Sequence, residues 1–224
     1  MNSSAPGRPS ILFEDGEALV IDKAAGQPME RPRKGGPSLS DWYDALKLGF
    51  QRAPMPVHRL DTDTSGCLLL ARNPKALKRF AKSFEERQVE KRYLGVLAGE
   101  LAEDEGTVEL SLAKVSSQNR GWRMILAKKG QPSVTHWTKL AEKDGLTFVE
   151  FRPETGRTHQ IRVHAASGLG VPLLGDPLYG RPDQRVSRMM LHAASLRVER
   201  IGKLPVEAAA PLPHAFSRLG FADG

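Results

Sequence analysis

The sequence predicts an α+β fold, a mixed and mainly antiparallel sheet with flanking helices in a single domain. Three observations carry this. Runs rich in β-branched and aromatic residues recur at residues 93–97, 107–112, 133–140, 146–151 and 190–198, punctuated by glycine, which suits an antiparallel or mixed sheet. Residues 67–71 make a short continuous apolar run, the pattern of a buried strand. Helix signals are confined to three short segments.

In chain order, residues 1–10 are small and polar with two prolines and predict a flexible leader. Short strands follow at 11–13 and 18–21 around the acidic turn 14–17. Asp22-Lys23-Ala24-Ala25-Gly26 reads as a strand exit, and the Gly, Pro and basic residues of 31–37 as a mobile loop. Ser38-Leu39-Ser40-Asp41 resembles a capping box opening a helix to about Leu48, with Gly49 as its stop. Asn73 and Pro74 supply an N-cap and a first-turn proline for a helix to about Arg87. Residues 158–167 predict a short helix with Gly168 as its C′ residue. No repeat, low-complexity tract or composition break divides the chain, so residues 11–220 are expected to form one domain.

Charge narrows the partners. The 224 residues hold 33 Lys and Arg against 26 Asp and Glu, a net charge of +7, which points to a polyanion. Residues 110–141 contain Lys114, Arg120, Arg123, Lys128, Lys129 and Lys139 and no acid, with Trp122 and Trp137 interleaved. Further basic clusters lie at 31–34, 72–82 and 181–188, so a nucleic-acid surface is favoured over a merely solvated face. Arg120, Arg123, Lys128 and Lys129 are the candidates for holding an RNA backbone. The lone Cys67 excludes an internal disulfide and a cysteine-based zinc site and reads as a buried strand thiol in a reducing compartment. No signal-peptide apolar region and no run long enough to span a membrane occur, so a cytoplasmic protein is expected.

Two segments are dense in chemistry. Val57-His58-Arg59-Leu60-Asp61-Thr62-Asp63-Thr64-Ser65-Gly66 packs a histidine, an arginine, two carboxylates and three hydroxyls before the buried strand, and could present a carboxylate into a cleft. The bland reading is ordinary Asx and Thr turn chemistry. Arg152-Pro153-Glu154-Thr155-Gly156-Arg157-Thr158-His159-Gln160-Ile161-Arg162-Val163-His164 places His159 and Arg162 on one helix face, with arginines suited to phosphate or carboxylate; a surface helix is the bland alternative. His159, His164 and His192 lack any zinc-site spacing and sit among cations, which opposes a metal.

These segments resemble a known family. His58-Arg59-Leu60-Asp61-Thr62-Asp63-Thr64-Ser65-Gly66 is similar to the H-R-L-D-x-x-T-S-G signature of the RluA-type pseudouridine synthases, and Thr155-Gly156-Arg157-Thr158-His159-Gln160-Ile161-Arg162-Val163-His164 to their T-G-R-T-H-Q-I-R-V-H block. Glu90-Lys91-Arg92-Tyr93 resembles the K-x-Y strand, and Gly175-Asp176-Pro177-Leu178-Tyr179-Gly180 and Leu191-His192-Ala193 the later blocks. Two departures stand out: Lys23-Ala24-Ala25-Gly26 where the family has K-P-A-G, and a turn at 167–170 one residue longer than usual.

The resemblance implies a pseudouridine-synthase-like domain with a central catalytic cleft, acting on a uridine of ribosomal or transfer RNA without metal or cofactor. No S4-type RNA-binding module, no obligate protein partner and a monomer are expected. Asp61 is the implied catalytic carboxylate and Asp63 structural. Arg162 is the cation that keeps Asp61 ionised against desolvation, and Tyr93 lines the site as an acid/base or stacking partner. Arg59 would fill the gap left by an extruded uridine, with Thr64, Arg157, Thr158 and His159 also on the substrate. Two rivals remain at this point. One is a phosphatase using Asp61-Thr62-Asp63-Thr64 as a D-x-D-x-T nucleophile motif; the other is a basic RNA-binding protein without catalysis.

Overall fold

The computed structural model describes residues 7–117 and 121–223. In order, the chain forms β1 (Ser10–Glu14), β2 (Ala18–Lys23), a 3-10 turn (Leu39–Trp42), β3 (Met55–Pro56), β4 (Ser65–Ala71), α1 (Pro74–Glu85) and β5 (Val89–Leu97). There follow β6 (Glu105–Ser117), β7 (Gly121–Leu126), β8 (Gln131–Lys143), β9 (Leu146–Pro153), α2 (Gln160–Val163), a π-helical turn (His164–Gly168), β10 (Leu191–Arg200), β11 (Lys203–Ala209) and α3 (His214–Ser217). This is the α+β, mainly antiparallel architecture the sequence predicts. It divides into two compact units, Met1–Lys91 with Ala193–Pro211, and Arg92–His192 with Leu212–Gly224. No composition break marks the divisions because two of them fall inside strands, β5 and β10.

In the first unit, antiparallel pairs join β1 to β2, β2 to β4, β3 to β4 and β10 to β11. All seven residues of β4 are buried, which is why its sequence is apolar on both faces. The acidic turn before β2 is an Asx turn, in which Asp15 Oδ1 accepts the Glu17 and Ala18 N–H groups at 2.8 Å each. Helix α1 starts as predicted, with Asn73 Oδ1 accepting the Ala76 N–H at 2.9 Å, and buries Ala76 and Phe80 against Ala18, Val20, Cys67 and Leu69. Burial pushes the Cys67 thiol up to about 12, so it is a structural thiol.

In the second unit, β5, β9, β8, β6 and β7 pair antiparallel in that order. Their core gathers Leu97, Trp137, Val149, Phe151, Ile161, Leu173 and Leu191. Strands β6 and β8 are longer than predicted, 13 residues each, because their outer halves pair as ribbons with polar side chains that give no apolar signal.

Three expectations are corrected. The helix over 38–48 is a single 3-10 turn: Asp41 accepts the Ser38 N–H at 2.8 Å as in a capping box, but of the apolar side chains only Leu39 and Leu46 are buried, and Leu48 and Gly49 already have positive φ. The helix over 158–167 begins at Gln160, because His159 is left-handed at φ 54°, and it widens into a π-turn. Gly168 lies inside that turn and not at a C′ position; a Cβ there would approach Val108 Cγ1 to 2.5 Å. Strands β7 and β11 and helix α3 lie outside the predicted elements; β11 does alternate, burying Val206 and Ala208, but it is short and carries Pro205. The leader expected over 1–10 ends where β1 begins at Ser10, and residues 1–6 lie outside the described residues.

Candidate active site

The loop between β3 and β4 carries Asp61, and it is held along its length. His58 Nε2 accepts the Leu69 N–H at 3.0 Å, and its ring stacks on Phe84 with centroids 4.6 Å apart. Burial first, and Lys91 second, lower the His58 pKa to about 3, so the ring is a neutral acceptor. Leu60 is buried, and the Thr64 N–H donates to the Asp61 carbonyl at 3.1 Å, closing a turn around Asp61, Thr62 and Asp63. Gly66 has φ 108°, and a Cβ there would lie 2.2 Å from the Ala193 carbonyl oxygen, so only glycine lets the loop enter β4. Asp61 and Asp63 emerge half-buried, Arg59 is exposed and Thr64 is buried.

A residue outside the sequence-based candidates ties this loop down. Lys23 has no exposed surface, and its ammonium donates to the carbonyls of Ala24 at 2.8 Å, Gln27 at 2.8 Å and Thr62 at 3.0 Å. One side chain therefore joins the exit of β2 to the residue after Asp61. The signal was a lysine ending an apolar strand just before a glycine turn.

The second unit holds the remaining candidates. Arg162 is buried and binds Asp176 with both arms, Nε to Oδ2 and Nη2 to Oδ1 at 2.8 Å each. Asp176 also accepts the N–H groups of Leu178 at 2.9 Å and Tyr179 at 3.0 Å. Burial alone would raise its pKa; Arg162 and these N–H groups override that and hold it below the ordinary carboxylate range. The Tyr179 hydroxyl accepts the Met124 N–H at 2.9 Å and lies 2.8 Å from His159 Nδ1, and the Arg162 guanidinium sits 5.1 Å from the Tyr179 ring centre. His159 and Arg162 both reach Tyr179, but His159 lies outside the helix in a left-handed conformation, so the shared helix face expected from their spacing does not form. Trp122 rests on the His159 ring at 4.8 Å.

Gln160 stitches the rest of the motif together, accepting from Thr155 Oγ1 at 2.7 Å and the Arg157 N–H at 2.9 Å and donating to the Val134 carbonyl at 2.9 Å. Arg157 Nε donates to the Pro132 carbonyl at 3.2 Å, and Thr158 is half-buried beside it. Tyr93 lies on β5 opposite Phe151. Of the proposed RNA-backbone residues, Arg123 is on β7, Lys128 and Lys129 are exposed in the turn before β8, and Arg120 lies outside the described residues. Among the described residues no group of three or more His, Cys, Asp or Glu side chains is placed to hold a metal.

The Asp61 loop precedes an antiparallel strand and follows the two-residue β3, which is not the parallel strand a D-x-D-x-T phosphatase needs. Comparison with known proteins agrees with the other reading. The family model for RNA pseudouridylate synthases matches residues 17–167. An uncharacterized RNA pseudouridine synthase of Zymomonas mobilis is 53% identical over 212 residues, covering 94% of this chain and 97% of the relative. The ribosomal large subunit pseudouridine synthase D of Nitrosomonas europaea is 35% identical over 206 residues, covering 84% of this chain and 57% of that protein. The structure of human RNA pseudouridylate synthase domain containing 1 superposes with a TM-score of 0.77 at 31% identity, covering 96% of this chain and 90% of that one. With a fold, a motif loop and relatives that agree, the chain belongs to the RNA pseudouridine synthase family, RluA-type, and is an isomerase.

Proposed function

We propose that this isomerase acts on a uridine in structured ribosomal RNA, with transfer RNA as the second substrate class, and that Asp61 is its catalytic carboxylate. In the reaction the bond from N1 of the base to C1′ breaks, the base turns, and C5 bonds to C1′ while a proton leaves C5 and another is taken up at N1. Nothing is oxidised and no group is transferred to water. A carboxylate suits the sugar's cationic character, by attack at C1′, by stabilising charge there or by assisting proton removal at C2′. The observation that carries the reading is the loop itself: Asp61 is half-exposed while Leu60, Thr64 and Gly66 around it are buried and Lys23 fixes Thr62. Such a held carboxylate needs little reorganisation when substrate arrives.

The roles of Arg162 as charge partner, Tyr93 as a lining residue and Arg59 as the occupant of the gap left by the uridine follow from the motif resemblance. Arg157, Thr158, His159 and Thr64 are placed on the substrate on the same ground. The ribosomal preference is supported by relatives named for the large ribosomal subunit. A ribosomal substrate and the reduced Cys67 together favour the cytoplasm.

The test maps pseudouridines in total RNA from cells lacking this gene and supplied with wild type, Asp61→Asn or Asp63→Asn. Wild type restores the site, Asp61→Asn binds RNA but restores nothing, and Asp63→Asn retains much of the activity. Normal restoration by Asp61→Asn, or equal loss in both variants, overturns the assignment. An RNA binder without catalysis would leave uridines unchanged with every version.

A further inference from the structure

Beside the Asp61 loop, wholly within the first unit, lies a cavity of about 650 Å³, lined in part by Arg59. Met29 and Glu30 line one part of it, and Val57, His58, Arg59 and Thr62 another. We propose that this cavity seats a second, unstacked base of the RNA, a guanine near the target uridine, and that Glu30 reads it. The inference rests on the RNA-isomerase reading of Asp61 and adds a subsite that sets sequence preference.

Position comes first. Arg59 and Thr62 flank Asp61 in sequence, so any RNA bringing a ribose to that carboxylate brings neighbouring nucleotides past this opening. The walls then decide which part of a nucleotide fits. Met29 and Val57 are apolar, and His58 is a neutral ring held against Phe84, so this part of the cavity offers flat, uncharged surface for a base, with the Arg59 cation at its side for the adjoining phosphate. Glu30, beside Met29, adds a carboxylate that accepts N–H donors. Among the bases, guanine alone presents two adjacent donors, N1–H and N2–H, that one carboxylate can accept with both oxygens. Adenine and cytosine offer one amino group, and uracil one ring N–H.

The experiment uses a pool of RNA hairpins with a single uridine in a loop whose other positions are randomised. Each enzyme is incubated with the pool, and pseudouridine is mapped by sequencing. Wild type is expected to favour guanine at one fixed loop position by about tenfold, the scale of one bidentate base contact. Glu30→Gln is expected to bring the rate on guanine-containing loops down to that of the other bases at that position alone. Met29→Trp, which narrows the cavity beside Glu30, is expected to weaken the same preference without altering Glu30 itself. An unchanged base profile in both variants overturns the subsite while leaving the isomerase intact. Absence of any pseudouridine from wild type overturns the isomerase reading itself, and the subsite with it.

Discussion

Lys23 and Arg162 are both buried cations, and each answers the cost of desolvation differently. Lys23 donates to three carbonyl oxygens, and Arg162 meets the Asp176 carboxylate in a two-armed geometry. Asp176→Asn keeps the shape of the partner and removes its charge, so it is expected to destabilise the fold by about 3 kcal/mol, the usual scale for breaking a buried pair. Urea unfolding of the variant and of Asp176→Ala checks this; a loss below about 0.5 kcal/mol, the range of neutral surface changes, would show that the pair holds nothing. Arg162 was legible in the sequence because its block matches a family motif. The role of Asp176 was not, because an ion pair across 14 positions of irregular chain leaves no periodic trace, although Asp-Pro-Leu-Tyr did carry the mark of an Asx turn.

Apolar runs placed most strands and a cap placed one helix, whereas the capping-box signal at Ser38 and the helix pattern over 158–167 overstated what forms. Asn73, Pro74 and the buried β4 announce themselves through caps and apolar runs. The β6–β7–β8 ribbon takes its register from strand partners, and Trp122, Met124, Ile125 and Leu126 of β7 do not alternate in a way that fixes it. Its charge is also partly altered by the fold. Lys139, in the acid-free stretch, reaches Asp104 at 2.9 Å and Glu142 at 3.2 Å, and Lys114 lies over the Trp122 ring at 4.7 Å. Lys128 and Lys129 are exposed at the turn into β8. Replacing Arg123, Lys128 and Lys129 with glutamine is expected to weaken RNA binding and to lower its salt slope by about one unit for each phosphate left without its cation. Filter binding across salt concentrations reads this directly, and an unchanged slope would make the ribbon an ordinary solvated face.

For the whole molecule, the early part of the acid loss of stability comes from histidines kept neutral. Burial lowers His164 to about 4, and its Nε2 lies 2.8 Å from Ser133 Oγ, which itself donates to the Leu110 carbonyl at 2.6 Å. His58, at about 3, is held neutral in the other unit. Below the ordinary histidine value the unfolded chain binds protons that the native state refuses. Stability is therefore full above about pH 6.5 and is lost as pH falls toward 4 and then 3, with His164 contributing at most about 1.4 kcal/mol per pH unit. Thermal melting from pH 7.5 down to pH 4.5 should show this fall, and His164→Gln should flatten it; an equal slope in the variant would acquit that histidine. The order in which the ribosome delivers the chain has its own consequence. Strand β10, the neighbour of the fully buried β4, is released only after the whole of Arg92–His192 has emerged. Until then the nascent first unit displays an unpaired apolar edge, the kind of template that recruits other strands. The second unit needs only Leu212–Gly224 beyond Pro211, so the strands synthesised earliest wait for almost the whole chain before their partner arrives, and their edge is exposed throughout that interval.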